Sequence, residues 1–575
     1  MGLIYVVAPK PTMNVRANQK VLRLLAGAFV STAFLLSPAS LRAADVYKAD
    51  QANVYSDGGS WVGSSAPLAT DVAVWDNNNT VVSAANLTNV LGAPVSWQGM
   101  RLATISAPVQ ITADANALTL GSAGIDMSAA SQNLYINTPV TVGAVQNWNV
   151  ASGRTLTAAG AVAISSGLTV NGAGNVVLGA ANTGSGGVTL SSGTLTLNNA
   201  ASAGVSTTLT LNGGTLALNA DPSSGINVAI GGPVQLVMGA NRVLGGNSSS
   251  TTISGAGTLT FSGLTSGRVF TFSGNMSGFT GTVDLGANGG QFRFNSGGGN
   301  NALGNASATF NLGSSTGSLV NRNGGVTISL GALSGGSSTT LSGRSNGSGS
   351  TSTTYSIGGL GVDTTFAGII ANGGDNNGVI INKVGGGKLT LTGTSTYTGA
   401  TSVNAGTLQV DGNLNGAGVV TVGASGKLAG IGKLTGASTV NGELAPGDSG
   451  IGTLNFVNAL NLAGLTTMEI DAGSLTSDLV NDTSGTVNFG GTLTVQNLSG
   501  TLAVGESFNI FDGALAGSFA TINLPSLADP GLQWDLSQLS STGVISVQPV
   551  PEPAAVALFG LAGLLSVGRI LRRKS

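Results

Sequence analysis

The side chains that could carry catalysis in this sequence are carboxylates, lysine, tyrosine and arginine, because its 575 residues contain neither histidine nor cysteine. That composition excludes Ser-His-Asp triads, thiolate nucleophiles and metal sites that depend on imidazole or thiolate ligands. The densest acidic group consists of Glu469, Asp471, Asp478 and Asp482. Its glycine-, serine- and threonine-rich setting favours solvated turns, so the sequence predicts no catalytic residues.

Acidic residues are scarce in the middle of the chain, where positions 127–362 contain only Asp221 and Asp284. Glycoside hydrolysis needs two carboxyl groups about 5 to 9.5 Å apart, so this region offers no obvious pair. A polysaccharide lyase or glycoside hydrolase stays open as an alternative function. Positions 375–378 and Asp448 offer part of a calcium-ligand set but lack a complete EF-hand loop. The sequence therefore predicts no metal site and no cofactor.

Residues 1–44 have the three-part layout of a secretory signal peptide. Basic residues precede an uncharged apolar run over 24–36, and small residues follow it. The alternative is a retained membrane helix, but a helix needs about 20 apolar residues to cross a bilayer and this run is shorter. Translation could start at Met1 or at Met13. We expect signal peptidase to act on the chain during export.

The other end of the chain contains a second targeting segment, over 550–575. Its notable residues are Val550, Pro551, Glu552 and Pro553 at the start and Arg569, Arg572 and Arg573 at the end. The uncharged stretch between them would span roughly 22 Å as a helix, which suits temporary anchoring. An amphipathic surface helix is the alternative, but this stretch has no polar face.

These 26 residues resemble the PEP-CTERM sorting signal of Gram-negative bacteria. The resemblance implies processing by an exosortase, transient anchoring in the inner membrane and an association with exopolysaccharide production. Between the two targeting segments, residues 44–550 carry 12 basic and 22 acidic side chains, a net charge near −10. A body without a basic field is a poor ligand for nucleic acid, so we expect no nucleic-acid partner.

The body between the targeting segments is a run of short strands. Patches of four to six residues alternate apolar and polar side chains between glycine, serine and asparagine turns. The tripeptide Gly-Thr-Leu begins at 193, 214 and 257, and a related series begins at 387, 406 and 426. Recurrence near 20 residues is typical of a solenoid, whose units bury their inner face only by stacking. We therefore predict an all-β fold, a right-handed parallel β-helix, over a sandwich or transmembrane barrel.

The predicted organisation has five parts. They are a signal peptide (1–44), an N-terminal cap with the first coils (45–150), a β-helix solenoid (151–450), C-terminal coils with a cap (451–549), and a sorting segment with a single membrane helix (550–575). The N-terminal cap is predicted from four tryptophans that could cover an open solenoid end. They are Trp61, Trp75, Trp97 and Trp148.

Residues 382–416 carry a repeat motif with a Gly-x-Leu-Thr-Leu-x-Gly run, a Tyr-Thr-Gly step and a Val-Asn-x-Gly-Thr-Leu run. Its residues are Gly387, Leu389, Leu391, Gly393, Tyr397, Thr398, Gly399, Val403, Gly406, Thr407 and Leu408. The pattern resembles the autotransporter-associated β-strand repeat. The resemblance implies a β-helix passenger, commonly adhesive or surface-displayed. The sequence departs from that family where a translocator barrel would follow, because it continues into the short sorting segment instead.

Together these features predict a secreted, non-enzymatic β-helix protein of the cell surface or extracellular matrix. The expected route is export across the inner membrane followed by C-terminal processing. The expected contact is with exopolysaccharide or a neighbouring cell surface, through rows of Thr, Ser and Asn on the long faces of the solenoid. A membrane-retained spacer protein is the second alternative.

Overall fold

The computed structural model describes residues 43–551 except for a set of short gaps. The gaps are 205–207, 223–224, 246–249, 266, 296–302, 324, 345–350, 375–377 and 417. The predicted membrane helix of the sorting segment and all but the last two residues of the predicted signal peptide lie outside the described residues. Within them, no helix is long and apolar enough to cross a membrane.

The described chain winds into an all-β parallel solenoid of about 18 turns, which confirms the predicted fold class. Each turn contributes short strands that pair in parallel with the equivalent strands of the turns before and after it. The sequence period sets this stacking: Leu195 lies beside Leu216, and Leu216 lies beside Leu236 on the next turn. All three leucines are buried, so successive turns build one continuous apolar core. The right-handed sense of the winding stays a prediction.

One sheet of 13 strands covers the first half of the solenoid. Its strands are Asp45–Tyr47, Val72–Trp75, Val95–Leu102, Leu118–Met127, Val140–Val142, Gln146–Val150, Val162–Ile164, Leu168–Gly172, Val188–Leu190, Thr208–Leu211, Asn227–Ile230, Thr252–Gly255 and Asn275–Phe279. A six-stranded sheet lies on another face of the middle turns. Its strands are Arg242–Leu244, Val269–Phe272, Gly290–Phe294, Gly317–Asn321, Thr340–Arg344 and Ile369–Ala371.

The largest set of connected strands runs from the first turns to the last, because several of its strands are long enough to bend from one face to the next. Its strands are Thr88–Val90, Val109–Thr112, Leu134–Ile136, Thr155–Ala158, Asn175–Leu178, Thr194–Leu197, Thr215–Leu218, Val234–Met238, Thr258–Phe261, Thr282–Asp284, Gly304–Asn311, Thr327–Ser334, Thr353–Ile357, Thr364–Phe366, Val379–Lys383, Lys388–Leu391, Thr394–Ser395, Thr401–Val410, Asn413–Leu414, Val420–Gly430, Lys433–Leu434, Ser438–Val440, Glu443–Pro446, Thr453–Phe456, Leu460–Leu462, Leu465–Asp471, Thr476–Ser477, Leu479–Phe489, Thr492–Asn497, Phe511–Gly517 and Thr521–Asn523.

The C-terminal end of the described chain departs from parallel pairing. Strands Ser507–Asn509, Val544–Pro549 and Leu532–Asp535 form a small antiparallel sheet with Val544–Pro549 in the centre. The single α-helix of the described residues, Leu539–Thr542, lies against the solenoid strand Phe511–Gly517. The described residues also contain two 3₁₀ turns, Gly58–Ser60 and Ala84–Asn86. The helix content is therefore as low as the sequence predicts.

Buried aromatic rings concentrate in the first turns. Tyr55, Trp61, Trp75 and Trp97 are each at most 1% exposed, and their ring centroids lie 5.5 to 6.5 Å apart. Most of these pairs are edge-to-face, a favourable ring geometry. Trp148 is also buried, on a later strand, and donates a hydrogen bond from Nε1 to Gln146 Oε1. The role of these tryptophans as an end cap stays a prediction.

Candidate functional site

The repeat motif occupies successive stacked strands. Lys388 lies beside Thr407, and Thr407 lies beside Lys427 on the following turn, so the Gly-x-Leu series at 387, 406 and 426 marks one position on three turns. The motif's apolar side chains all point into the core and are at most 1% exposed. They are Leu389, Leu391, Val403 and Leu408. These residues build the fold and do not present a ligand-binding surface.

The motif's glycines and hydroxyls shape the corners between strands. Gly406 has a φ of 65°, and a β-carbon there would lie 2.4 Å from the carbonyl oxygen of Gly385, so another side chain would be strained. The hydroxyl of Tyr397 lies 2.6 Å from that of Thr401, and burial raises the pKa of the tyrosine to about 12. The amide of Thr398 donates to the side-chain oxygen of Asn372. The remaining motif glycines are Gly387, Gly393 and Gly399.

A buried lysine inside the repeat was not singled out from the sequence. Lys383 is 1% exposed, and its Nζ donates hydrogen bonds to the backbone oxygens of Val384, Gly385 and Ala405. Burial lowers its pKa to about 8. Period-two alternation offers the missed signal: Val379, Ile381 and Lys383 are every second residue of one strand, so all three point inward.

Replacing Lys383 by methionine should reduce the rise in unfolding free energy that accompanies increasing pH above about 8. The pKa of Lys383 is lower in the folded protein than in the unfolded chain, so raising the pH from about 8 to 10.5 favours folding. Lys48, whose pKa burial also lowers to about 8, should supply a similar rise. We expect the variant to lose about half of the increase in unfolding free energy over this window, measured by urea titration. Lys388→Met is the control and should keep the rise, because its hydrogen bond with Asp448 raises the pKa of Lys388; an unchanged slope in Lys383→Met would contradict the assignment.

Charged side chains gather on the outer face of the same turns. Lys388 Nζ lies 2.9 Å from Asp448 Oδ2, and Lys427 Nζ lies 3.5 Å from Asp448 Oδ1 and 3.7 Å from Glu443 Oε1. Both oxygens of Asp448 therefore face ammonium groups, which would repel a cation. This arrangement gives no support to the partial calcium-ligand set considered at Asp448. The companion set falls largely outside the described residues, which include only Gly378 of positions 375–378.

The acidic group near the C-terminal end is only partly what the sequence predicts. Asp471 is the last residue of the strand Leu465–Asp471, just before a turn, and its Oδ1 accepts hydrogen bonds from Gly473, Ser474 and Ser499. Asp478, however, is 1% exposed, so its assignment to a solvated turn is wrong. Its carboxyl oxygens accept the backbone N–H groups of the two residues Gly452 and Glu469, at 2.8 and 2.7 Å.

The assignment to a solvated turn is also wrong for Asp482, because its side chain is buried, with 3% exposure. Its Oδ1 accepts the backbone N–H groups of Ser484 and Gly485. Both buried carboxyl groups thus bond to backbone that the solenoid pairing leaves unsatisfied, which short polar side chains do well. No group of three acidic residues in the described part of the chain is arranged to hold a metal ion.

The main surface feature is a continuous row of outward-pointing polar side chains on nine successive turns. We call this row the Thr155 ladder; its members, paired in register, are Thr155, Asn175, Thr194, Thr215, Gln235, Thr260, Asp284, Asn311 and Ser334. The members are partly or fully exposed, while the residue that follows each of the first eight members is buried in the core. Parallel strands lie about 4.8 Å apart, so the ladder repeats its hydrogen-bonding groups at that spacing.

A second row of the same kind covers eight turns on another face. We call it the Ser329 ladder; its members are Ser329, Ser356, Asn382, Ser402, Thr421, Thr439, Asn461 and Asn488. All eight side chains are uncharged. Its last members bond to each other, with Asn488 Nδ2 donating to Asn461 Oδ1 at 2.9 Å. The solenoid thus presents two long polar rows. Together they contain one carboxylate, that of Asp284 in the Thr155 ladder.

Comparison with known families finds two kinds of segment in the chain. The Passenger-associated-transport-repeat matches residues 168–197 and 381–410. The PEP-CTERM protein-sorting motif matches residues 549–574. The chain carries passenger-type repeats and a sorting motif. The repeat over 381–410 is the one recognised in the sequence, whereas the repeat over 168–197 was missed because its strands lack the Tyr-Thr-Gly step.

One curated relative is similar over a limited stretch. The chain is 31% identical over 176 residues to the adhesin BmaC autotransporter of Brucella suis biovar 1 (strain 1330). The match covers 28% of this chain and 5% of that adhesin. The similarity therefore concerns a small part of the adhesin's length.

Only the start of the sorting motif lies within the described residues. The amide of Val550 donates to the backbone oxygen of Gly531 at 2.8 Å, which ties the beginning of the motif to the antiparallel sheet. Pro551 follows as the last described residue. The other predicted motif residues lie outside the described residues: Glu552, Pro553, Arg569, Arg572 and Arg573.

Proposed function

We propose that this protein is exported, processed at both ends and displayed at the cell surface or in the extracellular matrix. The sorting motif supports processing by an exosortase, and the passenger-type repeats support a surface role. The expected partners along this route are signal peptidase and exosortase, with transient anchoring in the inner membrane. The five predicted parts of the chain, from 1–44 to 550–575, remain the proposed organisation.

The proposed work of the displayed body is contact with a neutral extracellular glycan. The observation that carries this proposal is the unbroken Thr155 ladder, in which eight of nine side chains are uncharged. Thr194, Thr215, Gln235 and Thr260 donate and accept no side-chain hydrogen bonds within the described residues, so their polar groups are available to a ligand. Weak hydrogen bonds repeated along a polymer gain strength by multivalency.

The charge distribution argues against an anionic ligand on the last third of the body. The body between the targeting segments has a net charge near −10, and 13 of its acids lie over 363–550. The acidic turns over 363–550 would repel a uniformly anionic polymer. The hydroxyl groups of a neutral glycan need oriented hydrogen-bond donors and acceptors and no electrostatic field. Positions 127–362, which contain the Thr155 ladder, carry two acids and six arginines. The preference for a neutral ligand there therefore rests on the eight uncharged side chains of the ladder and not on repulsion.

We propose that contact occurs without catalysis. Both carboxyl oxygens of Asp478 accept backbone N–H groups, both oxygens of Asp448 face lysines, and Oδ1 of Asp482 accepts backbone N–H groups, while its Oδ2 is buried away from solvent. These carboxyl groups therefore do not form an accessible pair of general acid and base. A hydrolase or lyase would raise the number of reducing ends when the purified protein is incubated with polysaccharide from its native matrix. We expect retention of the protein on that matrix with no such rise.

The mature protein should lack both targeting segments. Intact-mass measurement of protein recovered from the medium should place the N-terminus between Ser40 and Asp45 and the C-terminus between Val550 and Pro553. A chain that still carries Arg572 outside the inner membrane would contradict exosortase processing. Arg572→Ala with Arg573→Ala should accumulate unprocessed chain in the membrane fraction, since a basic end holds a membrane helix in its orientation.

The contact role is tested by removing the central turns. Deletion of residues 180–360 in whole turns should abolish retention on washed matrix, because it removes most of the Thr155 ladder. The alternative is that the body only spaces another protein from the cell. Unchanged retention after the deletion would favour that spacer role.

A further inference from the structure

The Thr155 ladder ends where the regular pairing of its sheet breaks. Asp284, Asn311 and Ser334 lie in register on three successive strands. The next strand, Thr364–Phe366, joins Thr327–Ser334 only through an isolated bridge between Gly335 and Phe366. A repeat surface offers the same groups on every turn, so a break of this kind creates a position unlike the others.

An open groove lies at this break. Its polar lining consists of Asp284, Asn311, Ser314 and Thr365, and the rest is glycine and alanine. Glycine is required at this corner: at Gly313, which has a φ of 81°, a β-carbon would lie 1.8 Å from the carbonyl oxygen of Gly286 on the neighbouring turn, so the backbone itself forms part of the groove wall. Two of its lining residues, Asp284 and Asn311, are neighbouring members of the Thr155 ladder, so a polymer lying along the ladder would reach the groove.

The polar side chains of the groove are held in one orientation. Ser334 Oγ donates to Asn311 Oδ1 at 3.3 Å, and Asn311 Nδ2 donates to Asp284 Oδ1 at 3.0 Å. The amide of Gly286 also donates to Asp284 Oδ1, and the amide of Gly313 donates to Asn311 Oδ1. This chain of bonds positions the carboxylate before any ligand binds, which lowers the entropy cost of recognition.

One carboxylate oxygen in the groove is left for a ligand. Within the described residues Asp284 forms no ion pair, and no protein group donates to its Oδ2. The hydroxyl groups of Thr365 and Ser314 likewise have no hydrogen-bond partner there. The groove thus presents one strong acceptor and two hydroxyls that can donate or accept.

We propose that this groove, the Asp284 groove, is a specific subsite for a neutral hexose unit of a glycan, recognised through adjacent hydroxyl groups. Asp284 Oδ2 accepts from one or both hydroxyls of a vicinal diol, while Thr365 and Ser314 bond to neighbouring oxygens. The ladder then holds the preceding units of the same chain. This inference rests on the proposed function and adds to it a defined site and a ligand class.

The probe for this site is a soluble neutral hexasaccharide, cellohexaose or maltohexaose, titrated into the full mature protein by calorimetry. Asp284→Asn keeps the shape of the side chain and removes its charge, so affinity for at least one probe should fall about tenfold or more. Thr365→Val should lower the affinity several-fold. The control Asp221→Asn alters the other acid of positions 127–362 and should bind as the unmodified protein does. Equal melting temperatures would show that all variants are folded.

Three results would overturn the Asp284 groove as a hexose subsite. The first is equal affinity of Asp284→Asn and the unmodified protein. The second is binding that disappears on addition of a chelator, which would indicate a cation site. The third is retention on matrix without binding of either probe, which would leave the proposed function standing. Loss of matrix retention by the unmodified protein would instead refute the proposed function itself.

Discussion

Replacing Leu389 by aspartate should disrupt the turns around the repeat motif. Leu389 is 1% exposed and lies beside Leu408 on the next turn, so the substitution removes apolar contacts and places a charge in the core without a partner. The lost side-chain burial alone costs about 2 to 5 kcal/mol, and the unpaired charge adds to it. Urea titration should show a large fall in unfolding free energy, and protease should cut near the substitution.

The matched control is the next residue of the same strand. Thr390 points outward beside Gln409, so Thr390→Asp places its charge in water and should change the unfolding free energy by about 1 kcal/mol or less. Similar stability and protease resistance in Leu389→Asp and Thr390→Asp would show that the inward and outward sides of this strand are assigned wrongly.

Asp478 should make the protein less stable as the pH rises from about 4 to 7. Burial raises the pKa of its carboxyl to about 7, against the opposing effect of two backbone hydrogen bonds, while the unfolded chain keeps the ordinary lower value. Across that window the folded state holds a proton that the unfolded state has lost, so unfolding free energy declines with pH. The stabilisation from Asp478 is fully present below the pKa that its carboxyl has in the unfolded chain, and it is lost above the pKa in the folded protein. The unfolding free energy changes by about 3 to 5 kcal/mol between these limits.

Asp478→Asn tests this linkage, because an amide cannot titrate. Urea titrations between pH 4 and 8 should show a smaller decline for the variant than for the unmodified protein. Asp471→Asn is the control. Hydrogen bonds, chiefly the one from Ser499, lower the pKa of Asp471, so removing this carboxyl should not reduce the fall in unfolding free energy between pH 4 and 8. Equal declines in Asp478→Asn and the unmodified protein would contradict the assignment.

The fold could be predicted from the sequence because its main constraint is local. The Gly-Thr-Leu spacing gave the length of a turn, and alternation within each strand gave its inward side. Leu195 and Leu216, one turn apart in the sequence, are indeed neighbours. Stacking of this kind uses the same inward positions on every turn, so a repeat length is sufficient to predict it.

The ladders could not be predicted residue by residue, because turn length is not constant. Thr194 and Thr215 are 21 positions apart, whereas Asp284 and Asn311 are 27 apart, and both pairs are neighbours in the sheet. Loops of different length absorb the difference, so the register of outward residues is fixed only by tertiary pairing. The burial of Asp478 was hidden for a similar reason, since its backbone donors belong to segments 9 and 26 positions away.

Glycan contact through the Thr155 ladder is tested most directly by removing hydroxyl groups from the ladder without changing the fold. A triple variant, Thr194→Val, Thr215→Val and Thr260→Val, keeps side-chain shape and strand propensity but loses three ladder hydrogen-bonding groups. The control triple variant, Thr169→Val, Thr189→Val and Thr210→Val, makes the same change in a row on a different sheet of the solenoid. Retention of the mature protein on washed native matrix is the measurement. We expect a several-fold loss for the ladder variant and none for the control, whereas equal retention of the two would contradict glycan contact through the Thr155 ladder.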